Sequence, residues 1–105
     1  MGYAIDRHPE MDQDLGNIAA LISEYAGTAI AANKLRQINA DVGKLTDFPH
    51  VGTLRHEIYP ELRAIPTAEK GVIAFTVDDA TKTVLILSIT YAGADWVRIV
   101  RNRKV

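Results

Sequence analysis

Apolar residues recur at helical spacing through the first half of the chain. The first stripe consists of Met11, Leu15, Ile18, Ile22 and Tyr25. Intervals of three and four residues place such positions on one face of an α-helix. Gly27 suits the end of this helix and Thr28 suits the N-cap of another. The second stripe consists of Ala31, Leu35, Ile38, Val42 and Leu45. Two amphipathic helices joined by so short a turn predict an antiparallel helical hairpin.

Strand-like patterns lie on either side of this hairpin. Short runs rich in β-branched and aromatic residues, bounded by Pro, Gly or Asp, are typical of strands. The predicted strands are Tyr3–Arg7, Leu54–Tyr59, Glu61–Ile65, Gly71–Val77 and Thr83–Thr90. The last two are expected to pair as a β-hairpin, and segment 93–102 to form a short C-terminal helix or a tail.

The order of these elements predicts an α+β fold. It has an N-terminal strand, an antiparallel helical hairpin packed on a curved, mainly antiparallel sheet, and a short C-terminal helix or tail. We expect residues 1–105 to form one domain. The sheet face away from the hairpin is expected to be partly open, because Ser88 and Thr90 alternate with Leu87 and Ile89. An open face flanked by loops is a natural concave site.

Composition narrows the possible functions. Of the 105 residues, 48% are hydrophobic and 24% are charged, as in ordinary globular proteins. Cysteine is absent, which excludes disulfides, thiolate catalysis and Cys-based zinc sites. The sequence has no apolar run of about 20 residues that would span a bilayer and no signal peptide. We therefore expect a cytoplasmic protein with no membrane partner.

The small net charge of −1 is unevenly distributed. Residues 1–54 carry four basic and seven acidic side chains, whereas residues 55–105 carry eight basic and six acidic ones. The densest basic patch is Arg98, Arg101, Arg103 and Lys104. Because a free nucleic-acid binder usually has a stronger positive field, the chain is expected to need a protein partner to reach its target.

Four segments, taken in order, resemble a known family. They are Pro9–Ile18, Leu45–Gly52, Leu62–Pro66 and Val84–Trp96. Their order and spacing resemble the opening helix, the Leu-Pro-Gly loop, the Leu-Arg strand and the final strand of the RelE/ParE superfamily of bacterial toxins. The resemblance is nearer the ParE, or plasmid stabilisation, branch. Ser88 stands where family members often carry Arg, and Ala92 and Ala94 replace a common glycine or arginine, which weakens any anion-binding site.

The resemblance implies a toxin of a type II toxin–antitoxin system, neutralised by a cognate antitoxin. ParE-type toxins inhibit DNA gyrase, and RelE-type toxins cut mRNA in the ribosomal A site. Because the fold is shared, it does not choose between these targets. We expect a ParE-like gyrase inhibitor without chemistry of its own. The alternatives are a RelE-like ribosome-dependent mRNA endoribonuclease and a degenerate antitoxin-binding scaffold.

Several residues are candidates for the functional site. If the protein is a ribonuclease, metal-free RNA cleavage needs a base, an acid and cations that hold the phosphate. The catalytic candidates are Arg63, Tyr91 and His56. Candidates for phosphate or target binding are Arg55, Arg63, Lys70, Arg98 and Arg101. Trp96 is a candidate partner anchor. We expect no metal site and no cofactor, and we expect the antitoxin to bind where the hairpin meets the sheet.

Each candidate also has a purely structural interpretation. His56 alternates with Leu54 and Ile58, which favours a core-facing side chain. Arg55 would share a strand face with Glu57 and form a surface pair. Tyr91 would be a core aromatic on the same face as Leu87 and Ile89 if the strand is regular. Arg63 would pair with Glu57 or Glu61, Lys70 would lie in a solvated turn, and Trp96 would plug the edge of the sheet.

Overall fold

The helices and strands follow the predicted order. A computed structural model describes residues 2–103; Lys104, part of the predicted basic patch, lies outside the described residues. The strands are β1 (Ala4–Arg7), β2 (Thr53–Leu54), β3 (Leu62–Thr67), β4 (Gly71–Asp78) and β5 (Thr83–Tyr91). The helices are α1 (Met11–Ala26), α2 (Thr28–Lys44) and α3 (Trp96–Asn102). None of the helices within residues 2–103 is long and apolar enough to cross a membrane.

A single residue, Gly27, separates α1 from α2. Its backbone angles are φ 90° and ψ 164°, a region open essentially only to glycine. Its N–H donates to the carbonyl of Ser23, and its carbonyl accepts from Ala31, both at 3.1 Å. Gly27 therefore caps both helices. The prediction that Thr28 caps α2 was wrong, because Thr28 is already the first residue of that helix.

The strands form one mixed sheet in the order β1-β5-β4-β3-β2. β1 runs parallel to β5, and the other neighbours are antiparallel. The predicted α+β fold is confirmed. The predicted strand Leu54–Tyr59 was wrong, because only Thr53–Leu54 pairs with β3. The chain then turns, with the Ile58 N–H bonded to the carbonyl of Arg55 and Glu61 at φ 62°.

A β-bulge in β5 changes which side chains face the helices. Ala74 pairs with Ser88 and Phe75 with Ile86, so Leu87 is an extra residue in β5. The residues of β5 that pack in the core beneath the hairpin are Val84, Ile86, Ile89 and Tyr91. Leu87 packs on the opposite face of the sheet. The predicted regular alternation, with Leu87 and Tyr91 on one face, was therefore wrong.

The sheet separates two apolar clusters. The larger one joins α1 and α2 to the sheet and contains the fully buried Met11, Ile22, Ile38 and Phe75. The smaller one lies on the opposite face and consists of Ile58, Leu62, Ala74, Leu87 and Val100, with Trp96 and Val97 packed against it. Within segment 93–102, α3 thus covers part of this face, together with the turn before β3. The rest of the face is open, as predicted, and forms a shallow cleft lined by Asp6, Thr76, Asp78, Thr81, Thr83 and Leu85. Ser88 and Thr90, from which the open face was inferred, are themselves buried.

The Gly27 junction yields a matched pair of substitutions. Among the described residues, no atom apart from chain neighbours and the helix's own backbone lies within 4 Å of where a Cβ on Gly27 or Gly43 would stand, so both substitutions report on the backbone alone. We expect Gly27→Ala to lower the free energy of unfolding by about 1–3 kcal/mol. Gly43→Ala, within α2, should raise it by roughly 0.5–1 kcal/mol. Urea unfolding checks both, and equal effects would contradict the assigned role of Gly27.

Candidate functional site

A cleft of about 220 Å³ opens where α1, the end of β5 and α3 meet. We call it the groove. Its lining residues are Asp14, Asn17, Ile18, Leu21, Ile89, Thr90, Tyr91, Ala94 and Ile99. It forms because β1 ends at Arg7, opposite Ile86, whereas β5 continues to Tyr91. Beyond that point no strand within residues 2–103 lies beside this edge of β5, and the flanking helices form the two walls.

Two side chains satisfy the backbone of β5 where β1 stops. The Ile89 N–H donates to Asp14 Oδ2 at 3.1 Å. The Leu87 carbonyl accepts from Arg103 Nη1 at 2.9 Å. Both backbone groups belong to the bulged segment, and buried backbone groups without partners are strongly destabilising. Asp14 and Arg103 therefore take the place that a neighbouring strand would occupy.

Asp14 and Arg103 also form a bidentate ion pair. Arg103 Nη1 lies 2.5 Å from Asp14 Oδ2, and Nη2 lies 2.6 Å from Oδ1. Both residues are only 9% exposed, so water screens the pair weakly. The hydrogen bonds to Asp14 raise the pKa of Arg103 above its ordinary value, against the opposing effect of burial. The pair joins α1 to the residue that follows α3.

Sequence reasoning missed this pair, although one signal was present. Asp14 in an early turn of a helix is compatible with a simple interaction with the helix dipole. However, it lies three residues after Met11 and four before Ile18, which places it on the buried stripe. A carboxylate on such a stripe requires a buried partner.

At the end of the groove away from Arg103, the buried phenol ring of Tyr91 lies next to exposed apolar side chains. Tyr91 is 6% exposed and belongs to the core beneath the hairpin. Burial, and then a hydrogen bond with Tyr25, raise the pKa of Tyr91. Leu21 and Tyr25 are 40% and 58% exposed. Leu21, which lines the groove, and Tyr25, one helical turn further along α1, form what we call the apolar rim. Tyr91 is therefore a core aromatic residue, as one of its two interpretations predicted, although it does not share a face with Leu87.

Three of the predicted binding residues meet on the opposite side of the sheet. Arg55 Nε donates to Glu57 Oε2 at 2.6 Å, and its guanidinium lies 5.7 Å from the centre of the Trp96 ring. Arg101 Nη2 donates to the Glu57 carbonyl at 3.3 Å. The predicted Arg55–Glu57 pair is present, but in a turn. His56 is exposed, and its Nδ1 accepts from the N–H of Glu61, so the predicted core-facing orientation was wrong.

The other predicted cations do not join this cluster. Arg63 donates to the carbonyl of Val51 at 3.4 Å. Within residues 2–103 it makes no ion pair with Glu57 or Glu61, which corrects the structural interpretation of Arg63. Lys70 is exposed in the turn between β3 and β4. Arg98 lies 3.7 Å from Asp95, beside the start of α3.

The three catalytic candidates are far apart. Arg63 pairs with Phe75, and Tyr91 pairs with Gly71. Phe75 and Gly71 are about 13 Å apart along β4, and β3 and β5 are about 10 Å apart across the sheet, so the Cα atoms of Arg63 and Tyr91 are roughly 16 Å apart. His56 lies in the turn beside α3. No single phosphate could contact all three side chains.

A polar cluster that sequence reasoning also missed lies at the other end of the sheet. The Tyr3 hydroxyl donates to Asp79 Oδ1 at 2.8 Å, and His50 Nε2 lies 2.7 Å from the same oxygen. Lys82 Nζ is 5.6 Å from the centre of the Tyr3 ring. The hydrogen bond from Tyr3, followed by that from His50, lowers the pKa of Asp79. These contacts tie the N-terminal strand and the loop before β2 to the turn between β4 and β5.

No protein-family model matches the sequence, and no curated protein matches it either. Solved structures do match. The chromosomal ParDE toxin–antitoxin system of P. aeruginosa gives a TM-score of 0.72 at 20% identity, covering 86% of this chain and 96% of that one. A mutant of the E. coli toxin RelE in its free state gives 0.59 at 14% identity, covering 93% and 92%. The M. tuberculosis toxin–antitoxin complex RelBE2 gives 0.60 at 16% identity, covering 88% and 100%.

These matches define the class of the fold. The chain has the fold of the RelE/ParE toxins, as the sequence segments predicted. Among these three structures, its similarity is greatest to the ParDE system. At identities of 20% and below, the matches establish the fold and leave activity open.

The polar cluster predicts a pH effect. Because the pKa of Asp79 is lowered from 3.8 in the folded protein, its contribution to stability is present above pH 3.8 and is lost as pH falls through the folded value. We expect Tyr3→Phe to raise the pKa of Asp79 towards 3.8. An NMR titration of the carboxylate measures this, with Tyr59→Phe as the control. An unchanged pKa in Tyr3→Phe would contradict the assigned hydrogen bond.

Proposed function

We propose that this chain is the toxin of a type II toxin–antitoxin system, held inactive by a cognate antitoxin. Two of the matched structures are a toxin–antitoxin system and a toxin–antitoxin complex. The match to the first covers 96% of that chain, so the resemblance extends over a whole folded unit. The protein would act in the cytoplasm and form a hetero-oligomer with its antitoxin.

We further propose that the toxin is ParE-like and inhibits DNA gyrase by binding, without chemistry of its own. The observation that carries this proposal is the separation of Arg63, Tyr91 and His56. Metal-free RNA cleavage needs an acid, a base and a cation at one phosphate. The residue at position 88 supports the same view, because Ser88 stands where members of the family often carry Arg. Ser88 is fully buried beneath α3, and its hydroxyl has no hydrogen-bond partner among the described residues. This position therefore offers no cation to a phosphate.

The groove and its apolar rim are our candidate for the antitoxin interface. Most of the groove lining is apolar, and Leu21 and Tyr25 continue this apolar surface along α1 with 40% and 58% exposure. Adjacent exposed apolar residues on a small protein mark interaction surfaces. Apolar anchors seated in such a groove are how amphipathic segments are bound. The exposed cations Arg98 and Lys70 remain candidates for target contact.

A RelE-like ribonuclease is the second candidate, because the E. coli toxin RelE shares the fold over 93% of this chain. Such an enzyme would require Arg63, or another exposed cation, to act with groups supplied by the ribosome. A degenerate scaffold that only binds antitoxin is the third. The three candidates differ in growth inhibition and in the molecule that is damaged.

Induced expression in bacteria, with and without the product of the neighbouring reading frame, tests the proposal. We expect growth arrest that co-expression relieves, induction of the SOS response, and gyrase-linked DNA breaks. In this proposal Arg63, whose guanidinium binds the Val51 carbonyl, is not a target contact, so Arg63→Ala should leave toxicity unchanged. New mRNA 5′ ends by primer extension, lost in Arg63→Ala, would favour the ribonuclease instead. Growth that is unaffected would favour the scaffold and contradict a toxin.

A further inference from the structure

We propose that Arg103 sets the ligand preference of the groove, making it select an apolar anchor side chain over a basic one. The proposal rests on the groove being the antitoxin interface. Arg103 is not itself a lining residue, whereas Asp14 is. Arg103 acts through Asp14 and is therefore a positioning and specificity residue.

Among the described residues, Asp14 is the only carboxylate that lines the groove. Both oxygens of Asp14 are engaged by Arg103, and Oδ2 also accepts from the Ile89 N–H. A carboxylate saturated in this way attracts an incoming cation weakly, and desolvation of that cation would oppose binding. With Arg103 in place, the groove is thus effectively neutral and mostly apolar.

Arg103 also links the three walls of the groove. Arg103 binds Asp14 on α1 and the Leu87 carbonyl on β5, and it directly follows α3. Through Asp14 it also fixes Ile89, another lining residue. One guanidinium therefore holds all three elements at the base of the groove. Within residues 2–103, Glu10 is a second carboxylate near Arg103, with its Oε2 3.9 Å from Arg103 Nε.

The charge of Asp14 should become available when Arg103 is neutralised. In Arg103→Gln the carboxylate keeps the Ile89 N–H and loses both charged hydrogen bonds. It would then favour a cationic ligand in the groove, because an opposite charge stabilises a partly buried carboxylate. The double variant Asp14→Asn/Arg103→Gln removes both charges. In this double variant the amide oxygen introduced at position 14 can still accept from the Ile89 N–H. The amide nitrogen introduced at position 103 can still donate to the Leu87 carbonyl.

Two probes of nearly the same shape test the preference: benzyl alcohol and the cation benzylammonium. Binding is followed by NMR of the Ile18, Ile89 and Ile99 methyl groups. We expect the wild type to bind benzyl alcohol at least about tenfold tighter than benzylammonium, a difference of roughly 1.4 kcal/mol. Arg103→Gln should shift this ratio about tenfold towards the cation. Arg101→Gln, on α3, should leave it unchanged.

The double variant keeps the test decisive if Arg103→Gln does not fold. We expect Asp14→Asn/Arg103→Gln to retain the apolar preference of the wild type. A ratio unaffected by Arg103→Gln, a double variant that prefers the cation, or methyl shifts away from the groove would overturn the proposal. Because these measurements need neither antitoxin nor toxicity, a failed growth assay leaves their outcome standing.

Discussion

The buried pairing of Asp14 with Arg103 is the constraint on which the rest of the fold depends. A buried ion pair gains little net stability, because removing two charges from water offsets most of their attraction. This pair does more, since each member also satisfies a backbone group of β5 beyond the end of β1. The pair thereby allows β5 to extend beyond the end of β1 without leaving buried N–H and carbonyl groups unpaired.

The bulge at Leu87 explains why such a device is needed. One extra residue directs Leu87 to the second cluster and Ile89 to the first, so that β5 supplies apolar side chains to both faces of the sheet. It also leaves local backbone groups out of register. Asp14 and Arg103 meet that requirement, and the same two residues shape the groove proposed for the antitoxin. The residues that satisfy the backbone of β5 are therefore the same residues that shape the proposed binding groove.

The sequence predicted features that depend on local periodicity. Apolar spacing and turn residues were enough to predict the helical hairpin, most strands of the sheet and the α+β class. The bulge could not be predicted, because Val84, Leu85, Ile86 and Leu87 are all apolar and give no alternation from which to assign faces. Segment 55–59 was predicted as a strand because its alternation resembles one, but Pro60 and the left-handed Glu61 favour a turn.

The candidate site was harder to predict than the fold. Tyr91 and Trp96 lie in or against apolar clusters, and the predicted cations are divided between opposite parts of the sheet. Asp14 and Arg103 are 89 residues apart in sequence. Pairing between such distant residues is set by the tertiary fold and leaves only a faint local signal, here a carboxylate on an apolar helix stripe.

A double-mutant cycle in urea tests the central claim most directly. The free energy of unfolding would be measured for wild type, Asp14→Asn, Arg103→Gln and the double variant. We expect each single change to cost about 3–5 kcal/mol, because each leaves a buried charge unpaired. The double variant should cost less than the sum by at least about 2 kcal/mol. Additivity within about 0.5 kcal/mol would mean that the two residues act independently, and it would contradict the account.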